Sequence, residues 1–150
     1  MSYIDRQNTL IVYLKKESID AFLIRKKENI AYLTGSRGED AVLFISPKKN
    51  ILITDSRYTE EYKKSAIKCS VRAAKNQFLG ETIKEICIET HSRLIGFDAD
   101  NFTYQGYINL KKLLGKRRLT PLTQTIEKMR MIKDKSEIQH IRQACKYGTM

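Results

Sequence analysis

Four short, uncharged and mainly apolar runs constrain the fold of this 150-residue chain more than any other feature. They occupy residues 21–24, 41–45, 51–54 and 94–97. Runs of four or five residues are too short for a buried helix, so they predict strands covered on both faces. The segments between them carry apolar residues at helical spacing. Helices that alternate with apolar strands predict an α/β fold with a mixed central sheet flanked by helices.

Turn-forming residues, and the positions of proline and glycine, refine this pattern. Between the second and third runs lies SPKKN, in which Pro47 fixes φ and Asn50 tolerates positive φ, so these two strands should form an antiparallel hairpin. A weaker run contains Pro121, which has no backbone donor and therefore predicts an edge strand. Gly115 should be the left-handed cap of the helix before it. Helices are expected at residues 6–17, 82–90, 104–114 and 134–147, with a short helical turn before Gly35 and another strand at 70–74.

The last of these helices has features of its own. Asp134 and Glu137 have the spacing of a capping box, with Asp in place of the usual Ser or Thr. Ile138, Ile141 and Cys145 form an apolar stripe, but no strand follows for that stripe to cover. We therefore expect this helix to begin a further domain.

Charge is unevenly distributed along the chain. The net charge is +11, and residues 101–150 hold 11 Lys and Arg against 3 acidic residues. A basic surface can bind nucleic acid, acidic lipid or an acidic protein surface, so a stand-alone nucleic-acid-binding module is one alternative. Single-strand binders place exposed aromatic side chains among their basic ones. No aromatic residue interrupts the basic run Lys111, Lys112, Lys116, Arg117 and Arg118, and we expect no nucleic-acid partner.

The sequence also bears on location. No run approaches the eighteen or so apolar residues of a membrane span, and the first residues lack the pattern of a signal peptide. We therefore expect a cytoplasmic protein with no membrane partner.

Residues that could carry catalysis are few. The two histidines, His91 and His140, lie far apart, and no HExxH, phosphate-binding loop or GxSxG motif is present. Asp98 and Asp100 could share one face of a strand, but no His or Glu lies near them in sequence, so a solvated strand end is expected. An independent small enzyme is thus the weakest alternative, and we assign no catalytic residue, metal ligand or cofactor to the chain itself.

Two local motifs remain. Residues 32–35 (YLTG) precede a polar loop, SRGED, which we call the 36–40 loop. Residues 54–58 (TDSRY) close the third strand and open a helix with one aromatic edge over 56–66. Asp55 or Ser56 is the expected N-cap of that helix, and Arg57 is expected to form a salt bridge with a nearby carboxylate.

In order and spacing, YLTG, TDSRY, IGFD (95–98) and MRMIKDKSEI (129–138) resemble the N-terminal domain of the creatinase/prolidase/aminopeptidase P family. The resemblance implies a domain with a ribonuclease H-like motif at residues 1–128. Residues 129–150 would then be the linker and first helix of an absent catalytic domain. One departure is Ser36, where the family often has an aromatic residue.

The resemblance also implies a function. The chain would be the non-catalytic domain of an Xaa-Pro metallopeptidase of prolidase or aminopeptidase P type, acting on Xaa-Pro peptides. Two divalent metal ions (Mn, Co or Zn) would be held in the catalytic domain by two Asp, one His and two Glu. The expected partners are a second copy in a homodimer and that catalytic domain. The substrate-entrance candidates are Ser36, Arg37, Glu39 and Asp40, and the structural motif comprises Tyr32, Gly35, Asp55, Arg57 and Tyr58. Arg37 is suited to bind a carboxylate.

Overall fold

The computed structural model describes residues 1–74 and 79–148. The helices are α1 (Tyr3–Lys16), α2 (Lys27–Thr34), α3 (Thr59–Ser65), α4 (Leu79–Glu89), α5 (Tyr104–Leu114), α6 (Thr125–Met131) and α7 (Lys135–Gly148). The strands are β1 (Ala21–Ile24), β2 (Ala41–Ile45), β3 (Asn50–Thr54), β4 (Ser70–Ala73), β5 (Leu94–Asp98) and β6 (Arg118–Leu122). All four apolar runs are strands, as predicted.

The strands form one mixed sheet in the order β4-β3-β2-β1-β5-β6. The predicted hairpin is confirmed, because β2 pairs with β3 antiparallel, with Ala41 opposite Thr54. β2 also runs antiparallel to β1, whereas β1, β5 and β6 are mutually parallel and β4 is parallel to β3. The strand that contains Pro121 is at the edge of the sheet, as expected of a residue without a backbone donor. All strands except β2 therefore end at the same edge.

Helices cover both faces of the sheet. Side chains alternate along a strand, so Phe22 and Ile24 of β1 enter one core while Ala21 and Leu23 enter the other. The first core is closed by α1, α2, α3 and α6, and the second by α4 and α5. This three-layer arrangement confirms the α/β class with a mixed central sheet.

Three local expectations need correction. Helix α1 begins at Tyr3 rather than residue 6, because Ser2 and Asp5 form a capping box. The short helix α6 follows Gln124, which has a φ of 54°, and the sequence pattern did not indicate it. Gly115 has a positive φ of 61° but a ψ of −118°, so it is not a left-handed helical cap.

Within the described residues, the helices are all too short or too polar to cross a membrane.

Candidate functional site

A cleft of about 1150 Å³ opens at the edge where the parallel strands end. It is lined by residues 25–28 after β1, 38–42 at the start of β2, 55–57 after β3, and Asn101 after β5. Ala74 and Leu79 also line it. In open α/β sheets, ligands commonly bind outside the carboxyl ends of the strands. The topology thus brings residues 38–40 of the 36–40 loop and residues 55–57 of the second motif into one concave surface.

The 36–40 loop is held in a defined shape at its start. Gly35 ends α2 in the left-handed region with a φ of 78°, and its N–H donates to the carbonyl of Ala31. Ser36 is buried, with its Oγ accepting a hydrogen bond from Thr34 Oγ1 at 3.2 Å. Gly38 has a φ of 72°, and a Cβ there would lie 2.8 Å from Cβ of Ile30, so only glycine fits. Ser36 therefore supports the loop from within.

The second half of the loop is fixed by its neighbours. Tyr62 of α3 donates its hydroxyl hydrogen to the Glu39 carbonyl at 2.6 Å, and Thr54 Oγ1 donates to the Asp40 carbonyl at 3.1 Å. Tyr62 is 1% exposed and stacks on Tyr58 with 6.0 Å between ring centres. Burial raises the pKa of Tyr62, so its hydroxyl remains a donor. The loop is pinned by its backbone while the side chains of Arg37, Glu39 and Asp40 are exposed.

Asp55 and Arg57 form a tight turn in the lining of the cleft, directly after β3. Arg57 Nη2 lies 2.6 Å from Asp55 Oδ2, and the backbone N–H of Arg57 donates to Asp55 Oδ1. The hydrogen bond from the Arg57 side chain lowers the pKa of Asp55. The predicted salt bridge is confirmed. The predicted N-cap is wrong, because α3 begins only at Thr59, after Tyr58, and has no side-chain cap.

Both signs of charge line the cleft. Lys27 Nζ lies 3.9 Å from Glu39 Oε1, a loose and exposed pair. The other charged lining residues are Arg25, Lys26, Glu28, Asp40, Asp55 and Arg57. Such a surface can place a cationic and an anionic group of one ligand at different points, which a uniformly basic surface cannot do.

Tyr32 lies away from this cleft. Its ring packs against the Arg6 guanidinium, whose carbon is 4.1 Å from the ring centre, and its hydroxyl is 3.5 Å from the Met129 carbonyl oxygen. Burial raises the pKa of Tyr32. Of the predicted site residues, Glu39, Asp40, Asp55 and Arg57 line the cleft, while Tyr32 faces the segment that leads to α7. Arg6 was not among the predicted site residues.

The two aspartates near the end of β5 are separated rather than paired. Asp98 is 3% exposed and accepts a hydrogen bond from Asn101 Nδ2 at 2.8 Å, so the expected solvated strand end is wrong for it. Burial raises the pKa of Asp98. Asp100 lies in the following 3-10 turn, Ala99–Asn101, and is exposed. In residues 1–74 and 79–148, no group of three or more His, Cys, Asp or Glu is placed to hold a metal ion.

Comparisons with known proteins indicate one protein family. A family model described as the creatinase/prolidase N-terminal domain matches residues 6–132. The uncharacterized peptidase YqhT of Bacillus subtilis (strain 168) is 30% identical over 131 residues, which make up 85% of this chain and 36% of that protein.

Two solved structures show the same fold. The Xaa-Pro dipeptidase from Bacillus anthracis aligns with a TM-score of 0.85 and 25% sequence identity, covering 92% of this chain and 38% of that one. The aminopeptidase P (Xaa-Pro aminopeptidase) from Streptococcus thermophilus aligns with a TM-score of 0.78 and 27% identity, covering 85% of this chain and 98% of the solved chain. The present chain therefore spans little more than a third of the B. subtilis and B. anthracis proteins.

Proposed function

Because the chain belongs to the family of creatinase/prolidase N-terminal domains, we propose that it is the non-catalytic N-terminal domain of an Xaa-Pro metallopeptidase. The parent enzyme would be of prolidase or aminopeptidase P type and act in the cytoplasm. The match over residues 6–132 is the observation that carries this proposal. It favours the peptidase domain over the alternative of a basic nucleic-acid-binding module.

The chemistry of the described residues fits a supporting role. Two-metal hydrolysis needs several ligating side chains, such as Asp, Glu or His, converging on two ions about 3.5–4 Å apart. The described residues offer no such group. In our proposal the two ions, Mn, Co or Zn, and their ligands belong to a catalytic domain that this chain does not contain.

The boundary with that domain is proposed to lie near residue 128. Helix α7 has no buried residue, and the stripe that would pack against a partner is open, with Ile138 38% and Ile141 49% exposed. An amphipathic helix gains most of its stability from packing. We propose that residues 129–150 are the linker and first helix of the catalytic domain, which covers this stripe.

The 36–40 loop is proposed to shape the substrate entrance in a homodimer. Its backbone is pinned while Arg37, Glu39 and Asp40 are exposed, so it can present charges at fixed positions. A short Xaa-Pro peptide is a zwitterion, and an arginine can bind its carboxylate through two parallel hydrogen bonds. The mixed charges of the adjoining cleft support binding of both ends of such a peptide.

Replacement of Arg37 tests this role. In an enzyme that contains both this domain and the catalytic domain, Arg37→Ala should raise KM or lower kcat/KM about tenfold, the typical value of one charge-assisted hydrogen bond. The free energy of unfolding of the isolated domain should stay nearly unchanged, because Arg37 is exposed. Steady-state kinetics with an Xaa-Pro dipeptide and a longer Xaa-Pro peptide measure the effect.

Arg93→Ala is the matched control, since Arg93 is also exposed but lines a separate pocket, beside Arg117 and Arg118. It should leave both kinetic constants at their wild-type values. If Arg37→Ala retains wild-type KM and kcat/KM, Arg37 has no role at the substrate entrance. That result would not affect the assignment of the domain to its family.

A further inference from the structure

We propose that Arg6 is a positioning residue that fixes the start of α7, and with it the direction in which the chain leaves this domain. Arg6 belongs to α1, yet its side chain is only 8% exposed. Its guanidinium stacks on the Tyr32 ring at 4.1 Å, and Nη1 donates to the Tyr32 carbonyl oxygen at 3.0 Å. Helices α1 and α2 therefore hold this charge in place on one side.

The other side of the guanidinium meets two carboxylates at the start of α7, one just before the helix and one in its first turn. Arg6 Nη2 lies 2.9 Å from Asp134 Oδ2 and 3.0 Å from Glu137 Oε1. The same carboxylates start the helix, because the N–H of Glu137 donates to Asp134 Oδ1 and the N–H of Asp134 donates to Glu137 Oε2. Each carboxylate thus gives one oxygen to the capping box and one to Arg6. We call Arg6, Asp134 and Glu137 the Arg6 anchor.

The Arg6 anchor is important for the position of α7 because apolar packing does not hold this helix in place. No described residue of α7 is buried. A helix of 14 residues without a packed face is marginal in water. Guanidinium–carboxylate hydrogen bonds are among the strongest polar contacts in proteins, and here the donor is already ordered by Tyr32. The first turn of α7 cannot rotate or unwind without breaking the hydrogen bond from Arg6 to Asp134 and its ion pair with Glu137.

The anchor also connects α7 to the cleft through α2. Tyr32 lies in the last turn of α2, and the 36–40 loop starts directly after Gly35. A second link holds α2 to α6, since Asn29 donates to Glu127 Oε1 at 2.9 Å and accepts from Arg130 Nη1 at 2.9 Å. One face of α2 is thus fixed to the outgoing chain while its end carries the loop. These contacts therefore set the position of the 36–40 loop relative to the catalytic domain that α7 is proposed to enter. Only this step, from α7 to the catalytic domain, rests on the proposed function.

The double variant Asp134→Ser/Glu137→Gln separates the anchor from the helix cap. Serine and glutamine at this spacing keep a capping box but carry no charge for Arg6. In the wild-type chain, nitrogen-15 relaxation should show the first turn of α7 tumbling with the domain. In the double variant these amides should move independently of the domain, and their hydrogen exchange should be about tenfold faster or more. This is the change expected for the loss of one charge-assisted hydrogen bond and one ion pair. Exchange in β2 and β3 should not change.

Glu89→Gln is the matched control, because it removes the surface ion pairs with Arg72 and Lys49 and should leave α7 unaffected. If the double variant also loosens the sheet, Glu137→Gln alone is the informative variant, since it leaves Asp134 paired with Arg6 and should still speed exchange in the first turn of α7. Wild-type relaxation and exchange of α7 in these variants would show that the cap alone orders the helix, and would overturn the proposal.

The pH dependence gives a second readout. The N–H of Glu137, the Met1 ammonium and Arg6 hold the pKa of Asp134 well below its usual range. The Glu137 carboxylate, which pairs with the same guanidinium, and Tyr32 are also ionisable neighbours of Asp134. A carboxylate with a lowered folded-state pKa contributes stability above its unfolded pKa of about 3.9, and this is lost as the pH falls through the folded value. The order of α7 should persist at pH 4 and disappear only in stronger acid.

The double variant should lack this acid step, and an equal step in both proteins would contradict the anchor. Neither measurement uses peptidase activity. Failure of the anchor would therefore leave the proposed function standing, and failure of the proposed function would leave the anchor testable.

Discussion

Purified free of contaminating peptidases, the 150-residue chain will hydrolyse neither Xaa-Pro dipeptides nor longer Xaa-Pro peptides, with or without added Mn²⁺, Co²⁺ or Zn²⁺. The rate enhancement of a metallopeptidase depends on ions that polarise the carbonyl and generate a nucleophilic hydroxide. The described residues provide no ligand set for such ions. A fluorescence or ninhydrin assay for released proline or amino acid, run at each metal, measures this result.

A full-length Xaa-Pro dipeptidase assayed in the same buffers serves as the positive control. Metal-dependent turnover that co-purifies with the chain through several separations, and that is absent from a mock preparation, would contradict the non-catalytic assignment.

Replacing Leu43 or Leu52 with alanine should lower the free energy of unfolding by about 2–5 kcal/mol, the usual range for truncating a buried leucine. Both side chains are 0% exposed, and the two residues face each other across β2 and β3. Each truncation leaves a cavity in the same core, so the double variant should not be additive. Urea unfolding with linear extrapolation measures the change.

Val12→Ala is the matched control, because Val12 lies in α1 and is 66% exposed. It should change the stability by no more than about 0.5 kcal/mol. A loss below about 1 kcal/mol at both Leu43 and Leu52 would contradict their place in the core.

The strands could be predicted because their signal is local. An uncharged apolar run is stable only where both faces are covered, and this identified β1, β2, β3 and β5. The turn with Pro47 also indicated the antiparallel pairing of β2 with β3, although Asn50 is the first residue of β3 rather than part of the turn. The antiparallel pairing of β1 with β2 was not predicted. The order of the sheet was not accessible in this way, because the pairing of β1 with β5 joins residues about 70 positions apart, such as Leu23 and Phe97. No local rule encodes such a contact.

Errors at the candidate site arose where the expected local interaction competed with another contact, either with a near neighbour or with a distant part of the chain. Asp55 had the residue type and position of an N-cap, but Arg57 takes both of its carboxylate oxygens. The helix after it was predicted to have one aromatic edge, but the pattern did not indicate that Tyr62 on this edge packs into the core and donates its hydroxyl hydrogen to the 36–40 loop. Asp98 was expected in solvent and lies beneath a turn.

Arg6 was missed for a different reason. The sequence pattern of a lone arginine on an amphipathic helix indicates a surface charge. The partners of Arg6, Asp134 and Glu137, follow more than a hundred residues later. The capping-box spacing of those two carboxylates was a usable signal, and it correctly predicted the start of α7. It did not indicate that each carboxylate has a second oxygen available for a partner.

Reading the coding sequence beyond codon 150 in the source gene tests the central claim most directly. The account predicts an open reading frame that continues from α7 into a second domain, with two Asp, one His and two Glu at spacings suited to a two-metal site. A native stop codon directly after Met150, or a continuation without such a ligand set, would contradict the assignment of this chain as the N-terminal domain of an Xaa-Pro metallopeptidase.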